Sequence, residues 1–111
     1  MHSKPLIGLN ADFRDASGGK PAFSYLSAGY YDAIMAVGGI PVIVPPMTNE
    51  EMIGQVLDRL DGFVLTGGPD LDARNDGFHL HASAKLMASR REAFDRALAL
   101  EIRERRMSVF G

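Results

Sequence analysis

Short apolar runs, each bounded by Pro, Gly or polar residues, recur along the chain. They occupy residues 6–9, 40–44, 63–66 and 107–110, and the last leads directly into Gly111. Continuous runs of this length, rather than strict alternation, are typical of strands that are covered on both faces of a sheet. The pattern therefore predicts four buried strands.

Three stretches between these strands carry apolar side chains at helical spacing. The first helix is predicted to end at Gly38-Gly39, since glycine readily takes the positive φ at which helices stop. The second is predicted to begin at a capping box, in which Thr48 and Glu51 satisfy each other's backbone N–H groups. The third is predicted over residues 89–106, with arginines at the negative end of its dipole. The apolar stripes are Leu26, Tyr30, Ile34 and Val37; Met52, Ile53, Val56, Leu57 and Leu60; and Phe94, Leu98 and Ile102.

The resulting order, βαβαβαβ, predicts an α/β fold with a parallel sheet, right-handed crossovers and helices on both faces. Residues 1–111 are expected to form a single domain, or the first part of one. In such sheets ligands lie outside the carboxyl ends of the strands. That edge holds residues 10–14, residues 66–72 and whatever would follow Gly111.

Composition and charge argue against some classes of function. The chain has 111 residues, of which 46% are hydrophobic and 23% charged, and its net charge is −2. These values are typical of a globular domain without a broad basic surface, so neither a nucleic-acid nor a membrane partner is expected. The start carries no signal-peptide pattern, which favours a cytoplasmic location. The sequence has no Cys, so this chain holds no disulfide and no thiol nucleophile.

The turn at residues 66–70, Thr-Gly-Gly-Pro-Asp, is the most specific local signal. Two glycines directly after a buried strand allow backbone N–H groups to approach a ligand closely, and such a turn can stabilise an oxyanion. The alternative is a tight turn whose glycines serve only to supply positive φ. Local sequence leaves both interpretations open.

Five blocks, in this order, carry a wider resemblance. Together they resemble the amino-terminal half of the γ-glutamyl-γ-aminobutyrate hydrolase-like family of class I glutamine amidotransferases, over essentially the whole chain. The blocks are Pro-Leu-Ile-Gly-Leu at 5–9, Tyr-Tyr-Asp-Ala-Ile at 30–34, Gly-Gly-Ile-Pro-Val-Ile-Val-Pro-Pro at 38–46, Leu-Asp-Gly-Phe-Val-Leu-Thr-Gly-Gly-Pro-Asp-Leu-Asp at 60–72 and Arg-Glu-Ala-Phe-Asp at 91–95.

The resemblance implies a flavodoxin-like three-layer sandwich, present here only as its amino-terminal half. It also implies hydrolysis of γ-glutamyl amide bonds by a Cys-His-Glu triad that lies outside this chain, without a cofactor. Gly111 would open the nucleophile elbow. Gly68 would supply one oxyanion-hole N–H, with Gly67 supporting the turn. Pro69, which stands where relatives often have a third glycine, removes only its own N–H and leaves that donor intact.

Several charged residues are weaker candidates for substrate binding. Asp12, Arg14 and Asp15 follow the first strand and could hold the α-amino and α-carboxylate groups of a glutamyl substrate through charge-assisted hydrogen bonds. Asp70, in the glycine turn, is a further candidate. The alternative for the first group is a solvated loop without a ligand.

Histidines and tyrosines provide further candidate positions. His79 and His81, with Asp72 and Asp76, resemble a metal site, but no further His or Cys completes a ligand set, so no metal is expected. Tyrosines occur at three positions and are expected to pack a helix against the sheet, although one near the strand ends could line the pocket. They are Tyr25, Tyr30 and Tyr31.

Two functions of different class remain open. In the first, the chain is the amino-terminal half of a γ-glutamyl amide hydrolase that acts on a small-molecule substrate. In the second, it is a non-catalytic binding or assembly module on the same fold. A parallel sheet that stops at its fourth strand exposes apolar surface, so we also expect a homo-oligomer, or pairing with a chain that carries the missing half.

Overall fold

The computed structural model describes residues 3–67 and 88–111, and six strands and three helices follow one another within these stretches. The strands are β1 (Leu6–Asn10), β2 (Asp12–Arg14), β3 (Phe23–Tyr25), β4 (Ile40–Val44), β5 (Gly62–Val64) and β6 (Val109–Phe110), and the helices are α1 (Ala28–Ala36), α2 (Glu50–Leu57) and α3 (Ser89–Arg105).

Four strands form one parallel sheet in the order β4-β1-β5-β6. Among the four strands predicted from the sequence, this order is second, first, third, fourth, as in a flavodoxin-like sheet. The register places Leu9 of β1 between Ile43 of β4 and Val64 of β5. The predicted α/β fold is therefore confirmed, and the carboxyl ends of β1 and β5 lie side by side where the strand order reverses.

The hydrophobic core lies between the sheet and the pair α2 and α3. Phe63 of β5 is 2% exposed, and Phe94 and Leu98 of α3 are each 1% exposed. All three residues of the stripe predicted on the third helix are buried, which confirms that prediction. The buried members of this cluster are Val44, Ile53, Leu57, Phe63, Phe94, Leu98 and Ile102.

The other face of the sheet is only partly covered. Side chains alternate along a strand, so Val64 points away from the core that Phe63 enters. On that side α1 has no fully buried residue, Val37 just after it is 83% exposed, and Phe110 of β6 is 76% exposed. The first helix and the fourth strand form as predicted, but the prediction that their apolar residues are buried is wrong for Val37 and Phe110.

A short hairpin replaces part of the loop predicted after the first strand. β2 pairs antiparallel with β3, with Asp12 opposite Tyr25 and Arg14 opposite Phe23. Each strand has only three residues and mixes polar with aromatic side chains, so it lacks the apolar run that marks the other strands. Tyr25 therefore belongs to this hairpin and not to a helix.

The helix ends differ slightly from those predicted. Asn49, not Thr48, caps α2, and its Oδ1 accepts the N–H of Met52 at 3.1 Å. Gly38 follows α1 with a φ of +90°, as predicted. Gly39 does not share that positive φ. A Cβ at Gly39 would lie 2.8 Å from Ile34, so close packing excludes a side chain there.

Neither described stretch contains a helix that combines the length and apolar character needed to cross a bilayer. The cytoplasmic location stays a prediction.

Close approach of β1 to β5 gives a stability prediction. A Cβ at Gly8 would lie 2.5 Å from the ring of Phe63, so we expect Gly8→Ala to destabilise the fold by about 1–3 kcal/mol through overpacking. Gly29 lies in α1 with open space around it, so Gly29→Ala is the matched control and should be neutral or stabilising by up to about 1 kcal/mol. Urea unfolding monitored by circular dichroism measures both. Equal stability of the two variants would contradict the packing shown.

Candidate active site

The ends of β1 and β5 are joined by buried hydrogen bonds. The N–H of Thr66 donates to Asn10 Oδ1 at 2.7 Å, and the hydroxyl of Thr66 donates to the carbonyl oxygen of Asn10, also at 2.7 Å. Asn10 is 2% exposed and Thr66 is 8% exposed. Because polar groups removed from water need partners, these bonds fix the start of the glycine turn relative to β1.

Arg91, in the first turn of α3, reaches this turn from the interior of the protein. Its side chain is fully buried, and Nη2 donates to the carbonyl oxygens of Thr66 at 3.2 Å and Gly67 at 3.1 Å. The same nitrogen lies 3.4 Å from the hydroxyl oxygen of Thr66. Two successive carbonyls thus point at one guanidinium. Carbonyls of an extended strand alternate in direction, so the backbone turns at Gly67.

Two carboxylates balance the charge of Arg91. Its Nη1 lies 2.8 Å from Oδ1 of Asp12, and its Nε donates to Oδ2 of Asp95 at 3.1 Å. The other carboxylate oxygen of Asp95 accepts the side-chain N–H of Asn10 at 3.1 Å. The network therefore ties the end of β1, the β2–β3 hairpin, the β5 turn and α3 to one buried cation.

The two carboxylates have pKa values shifted in opposite directions. Burial raises the pKa of Asp12, but the N–H of Phe13 and the side chains of Arg91 and Tyr25 outweigh it, so the pKa of Asp12 is lowered. For Asp95, burial is the stronger effect, and the hydrogen bonds from Asn10 and Arg91 only partly offset it, so the pKa of Asp95 is raised. Ionised Asp12 thus favours the folded state, whereas ionisation of Asp95 disfavours it.

A cleft of about 860 Å³ opens on the opposite side of the glycine turn. The hydroxyl oxygen of Tyr30 accepts the N–H of Gly67 there, at 3.1 Å. Gly67 and Gly111 both line this cleft. The lining residues are Ser27, Gly29, Tyr30, Ala33, Ile34, Val37, Val64, Leu65, Gly67, Phe110 and Gly111.

The backbone at Gly67 does not use the conformational freedom of glycine. Its φ is not positive, whereas Gly18, Gly19 and Gly38 do adopt positive φ. A Cβ at Gly67 would lie 3.3 Å from the hydroxyl oxygen of Tyr30. The interpretation that this glycine serves only to supply positive φ is therefore wrong.

The structure places the remaining candidate residues differently. Asp12 is paired with Arg91. Arg14 lies outside the cleft lining, and its guanidinium is 5.2 Å from the ring centre of Phe23 and 5.8 Å from that of Tyr25. Tyr30 lines the cleft, which is the role left open for a tyrosine near the strand ends. Several predicted positions lie outside the described residues, namely Gly68, Asp70, Asp72, Asp76, His79 and His81.

Sequence reasoning missed Arg91 as a site residue. One signal was available, because Arg91 precedes Leu98 by seven residues and so falls on the apolar stripe of the third helix. An arginine at a position predicted to be buried needs acceptors, and Asp95 lies one helical turn later. The other partners of Arg91, in β2 and in the turn after β5, are distant in sequence and follow only from the fold.

The lowered pKa of Asp12 gives a pH prediction. We expect Asp12→Asn to reduce the free energy of unfolding at neutral pH by about 1–3 kcal/mol, because a charged partner of a buried guanidinium is lost. The stabilisation by Asp12 is lost as pH falls through its folded-state pKa, so the difference between protein and variant should shrink there. Urea unfolding at neutral pH and at about pH 3 tests this. Asp15→Asn, an exposed neighbour, is the control, and an equal effect of both substitutions would contradict the assignment.

The sequence is similar to those of known proteins along most of its length. The family model for peptidase C26 matches residues 5–111. The chain is 36% identical over 113 residues to a "putative glutamine amidotransferase" of Mycobacterium tuberculosis, covering 98% of this chain and 36% of that protein. It is 33% identical over 77 residues to a "putative glutamine amidotransferase-like protein" of Rickettsia prowazekii, covering 63% of this chain and 26% of that protein.

The chain thus spans about a third of the length of the first of these relatives. The family model nevertheless covers nearly every residue of the chain, including the ends of β1 and β5, where the buried network lies. The resemblance found in the sequence blocks is confirmed at the level of the family. The chain belongs to the peptidase C26 family, whose members are class I glutamine amidotransferase-like proteins.

Proposed function

We propose that this chain forms part of a glutamine amidotransferase-type amide hydrolase, supplying an oxyanion-stabilising turn and one wall of the substrate cleft. The Cys-His-Glu triad would lie outside the chain. The observation that carries the proposal is the shared cleft, in which Gly67 at the end of β5 and Gly111 beyond β6 line the same space. In this sheet architecture, the carboxyl ends of neighbouring strands are where reacting groups converge.

The proposed chemistry is acyl transfer to a nucleophile held at the cleft. A thiolate from outside this chain would attack the γ-carbonyl carbon of a small γ-glutamyl compound, and the carbonyl oxygen would take the negative charge. Collapse of this intermediate would break the C–N bond, the amine would leave with a proton from the triad His, and water would then hydrolyse the thioester. Backbone N–H groups stabilise such an oxygen when they are already aimed at it. We assign this task to the turn, with Gly68 as donor and Gly67 in support. The N–H of Gly67, which faces the cleft, supports that assignment.

Asp12 takes an indirect part in this proposal. Its carboxylate is paired with Arg91, so it braces the turn instead of binding the amino group of a substrate. The cleft wall formed by α1 offers mainly apolar surface, with the Tyr30 hydroxyl as a polar group beside Gly67. A compact, largely apolar wall with few polar groups fits the side-chain methylenes and single amide of a γ-glutamyl compound.

A non-catalytic binding or assembly module on the same fold is the second candidate. The coding sequence that follows the Gly111 codon separates the two. A cysteine two positions beyond Gly111, after an isoleucine, would support the hydrolase, whereas Gly or Ala at that position would support the module.

A chimera tests the hydrolase directly. Residues 5–111 would replace the matching segment of the Mycobacterium tuberculosis relative, and release of p-nitroaniline from γ-glutamyl-p-nitroanilide would be measured. We expect turnover by the chimera and none by the chain alone.

Gly67→Ala, which places a Cβ 3.3 Å from the Tyr30 hydroxyl oxygen, should lower kcat about tenfold or more. Leu100→Ala, on the exposed side of α3 and outside the cleft lining, should not. A folded but inactive chimera beside an active parent would contradict the proposal.

The exposed apolar face leads to a second proposal, that another polypeptide covers it. Val109 is 49% exposed and Phe110 is 76% exposed, and both line a depression of about 360 Å³ beside α1. For the chain alone we expect a second copy to take that place, because apolar surface of this kind is removed from water by association.

Sedimentation equilibrium at increasing concentration tests the association. The chain should self-associate, and Phe110→Asp should shift it to monomer. Leu100→Asp is the matched control, because Leu100 is 50% exposed on α3, away from that face. A monomeric chain at every concentration would contradict the expectation, as would equal effects of the two substitutions.

A further inference from the structure

We propose that Arg91 is the positioning residue of the glycine turn: it holds the carbonyls of Thr66 and Gly67 on the protein side and thereby directs the Gly67 N–H into the cleft. The catalytic meaning of this role rests on the proposed function. The geometric claim stands on the hydrogen bonds alone and can be tested without activity.

One planar group links the two sides of the turn. The carbonyl of Thr66 and the N–H of Gly67 belong to the same peptide group, which is trans, so they point in opposite directions. The carbonyl oxygen accepts from Arg91 at 3.2 Å, and the N–H donates to the Tyr30 hydroxyl at 3.1 Å. Holding the carbonyl therefore sets the direction of the N–H.

The guanidinium is itself held in place on several sides. Asp95 and Asp12 bind its Nε and Nη1, while Nη2 is left to face the two carbonyls. A guanidinium is a planar fork whose donors keep fixed relative directions, whereas a lysine ammonium is a single point charge. Only a guanidinium can hold two carboxylates through Nε and Nη1 and, at the same time, two carbonyls through Nη2.

The two sides of the peptide group differ in rigidity. Arg91 is fully buried, so its side chain cannot leave without exposing unpaired charges. Tyr30 is 38% exposed and lies on α1, which has no fully buried residue. The tyrosine hydroxyl is thus the partner that can yield, and the oxygen of a ligand could accept the Gly67 N–H in its place. Arg91 keeps the donor aimed during that exchange.

Nuclear magnetic resonance on the labelled chain tests the geometric claim. In Arg91→Lys we expect the Gly67 amide to exchange with solvent about tenfold faster, and the carbonyl carbon shifts of Thr66 and Gly67 to lose their hydrogen-bonded character. Arg90→Lys is the matched control, because Arg90 precedes Arg91 on α3 but its Nε donates to the carbonyl of Pro46. The exchange rate of the Leu9 amide, in the buried strand β1, shows whether a substitution destabilises the fold as a whole. An unchanged Gly67 in a folded Arg91→Lys chain would overturn the proposal.

A second variant keeps the claim testable if Arg91→Lys does not fold. Tyr30→Phe removes only the exposed acceptor, so the Gly67 amide should exchange faster while the carbonyl shifts of Thr66 and Gly67 stay at their original values. If those carbonyl shifts also change, the tyrosine and not the arginine sets the turn, and the proposal is wrong.

The catalytic role has its own readout in the chimera. There Arg91→Lys should lower kcat about tenfold with KM within about twofold, because the glycine turn, with Gly68 as donor and Gly67 in support, is needed mainly as charge develops on the oxygen. A rise in KM with unchanged kcat would contradict positioning. An inactive unsubstituted chimera would refute the proposed function and leave the resonance result standing.

Discussion

A guanidinium without contact to water must be surrounded by acceptors, and the carboxyl edge of this sheet is organised around that requirement. Asp12 and Asp95 balance the charge of Arg91, and the carbonyls of Thr66 and Gly67 accept from its Nη2. Removal of one partner from a buried ion pair leaves an uncompensated charge, which is strongly unfavourable. The hairpin, the glycine turn and the first turn of α3 are therefore joined to each other by charge and hydrogen bonds.

The two faces of the sheet serve different purposes. Towards α2 and α3 the side chains form a closed core around Phe63 and Phe94. Towards α1 the sheet is open, and the cleft lies there, between Tyr30 and the ends of β5 and β6. The Gly67 peptide group stands at the boundary between the buried polar network and this open cleft. A site at such a boundary combines a rigid support with access for a ligand.

The fold was largely predictable from the sequence, because its main signals are local. Continuous apolar runs marked the parallel strands, and the positions of Phe94, Leu98 and Ile102 marked α3 to within one residue of its observed end. The β2–β3 hairpin was missed because it has no apolar run.

The site was only partly predictable. Gly67 could be found from its place after a strand, but the contacts of Arg91 join residues up to 79 positions apart, from Asp12 to Arg91, and no local pattern encodes them.

The nitrogen resonances of the Arg91 guanidinium test the central claim most directly. A guanidinium held by two carboxylates and two carbonyls cannot rotate freely about its C–N bonds. We therefore predict separate, slowly exchanging Nη signals for Arg91 at neutral pH, unlike those of the exposed Arg103. If the Nη signals of Arg91 are averaged and exchange as rapidly as those of Arg103, the guanidinium does not hold the turn, and the account of this site is wrong.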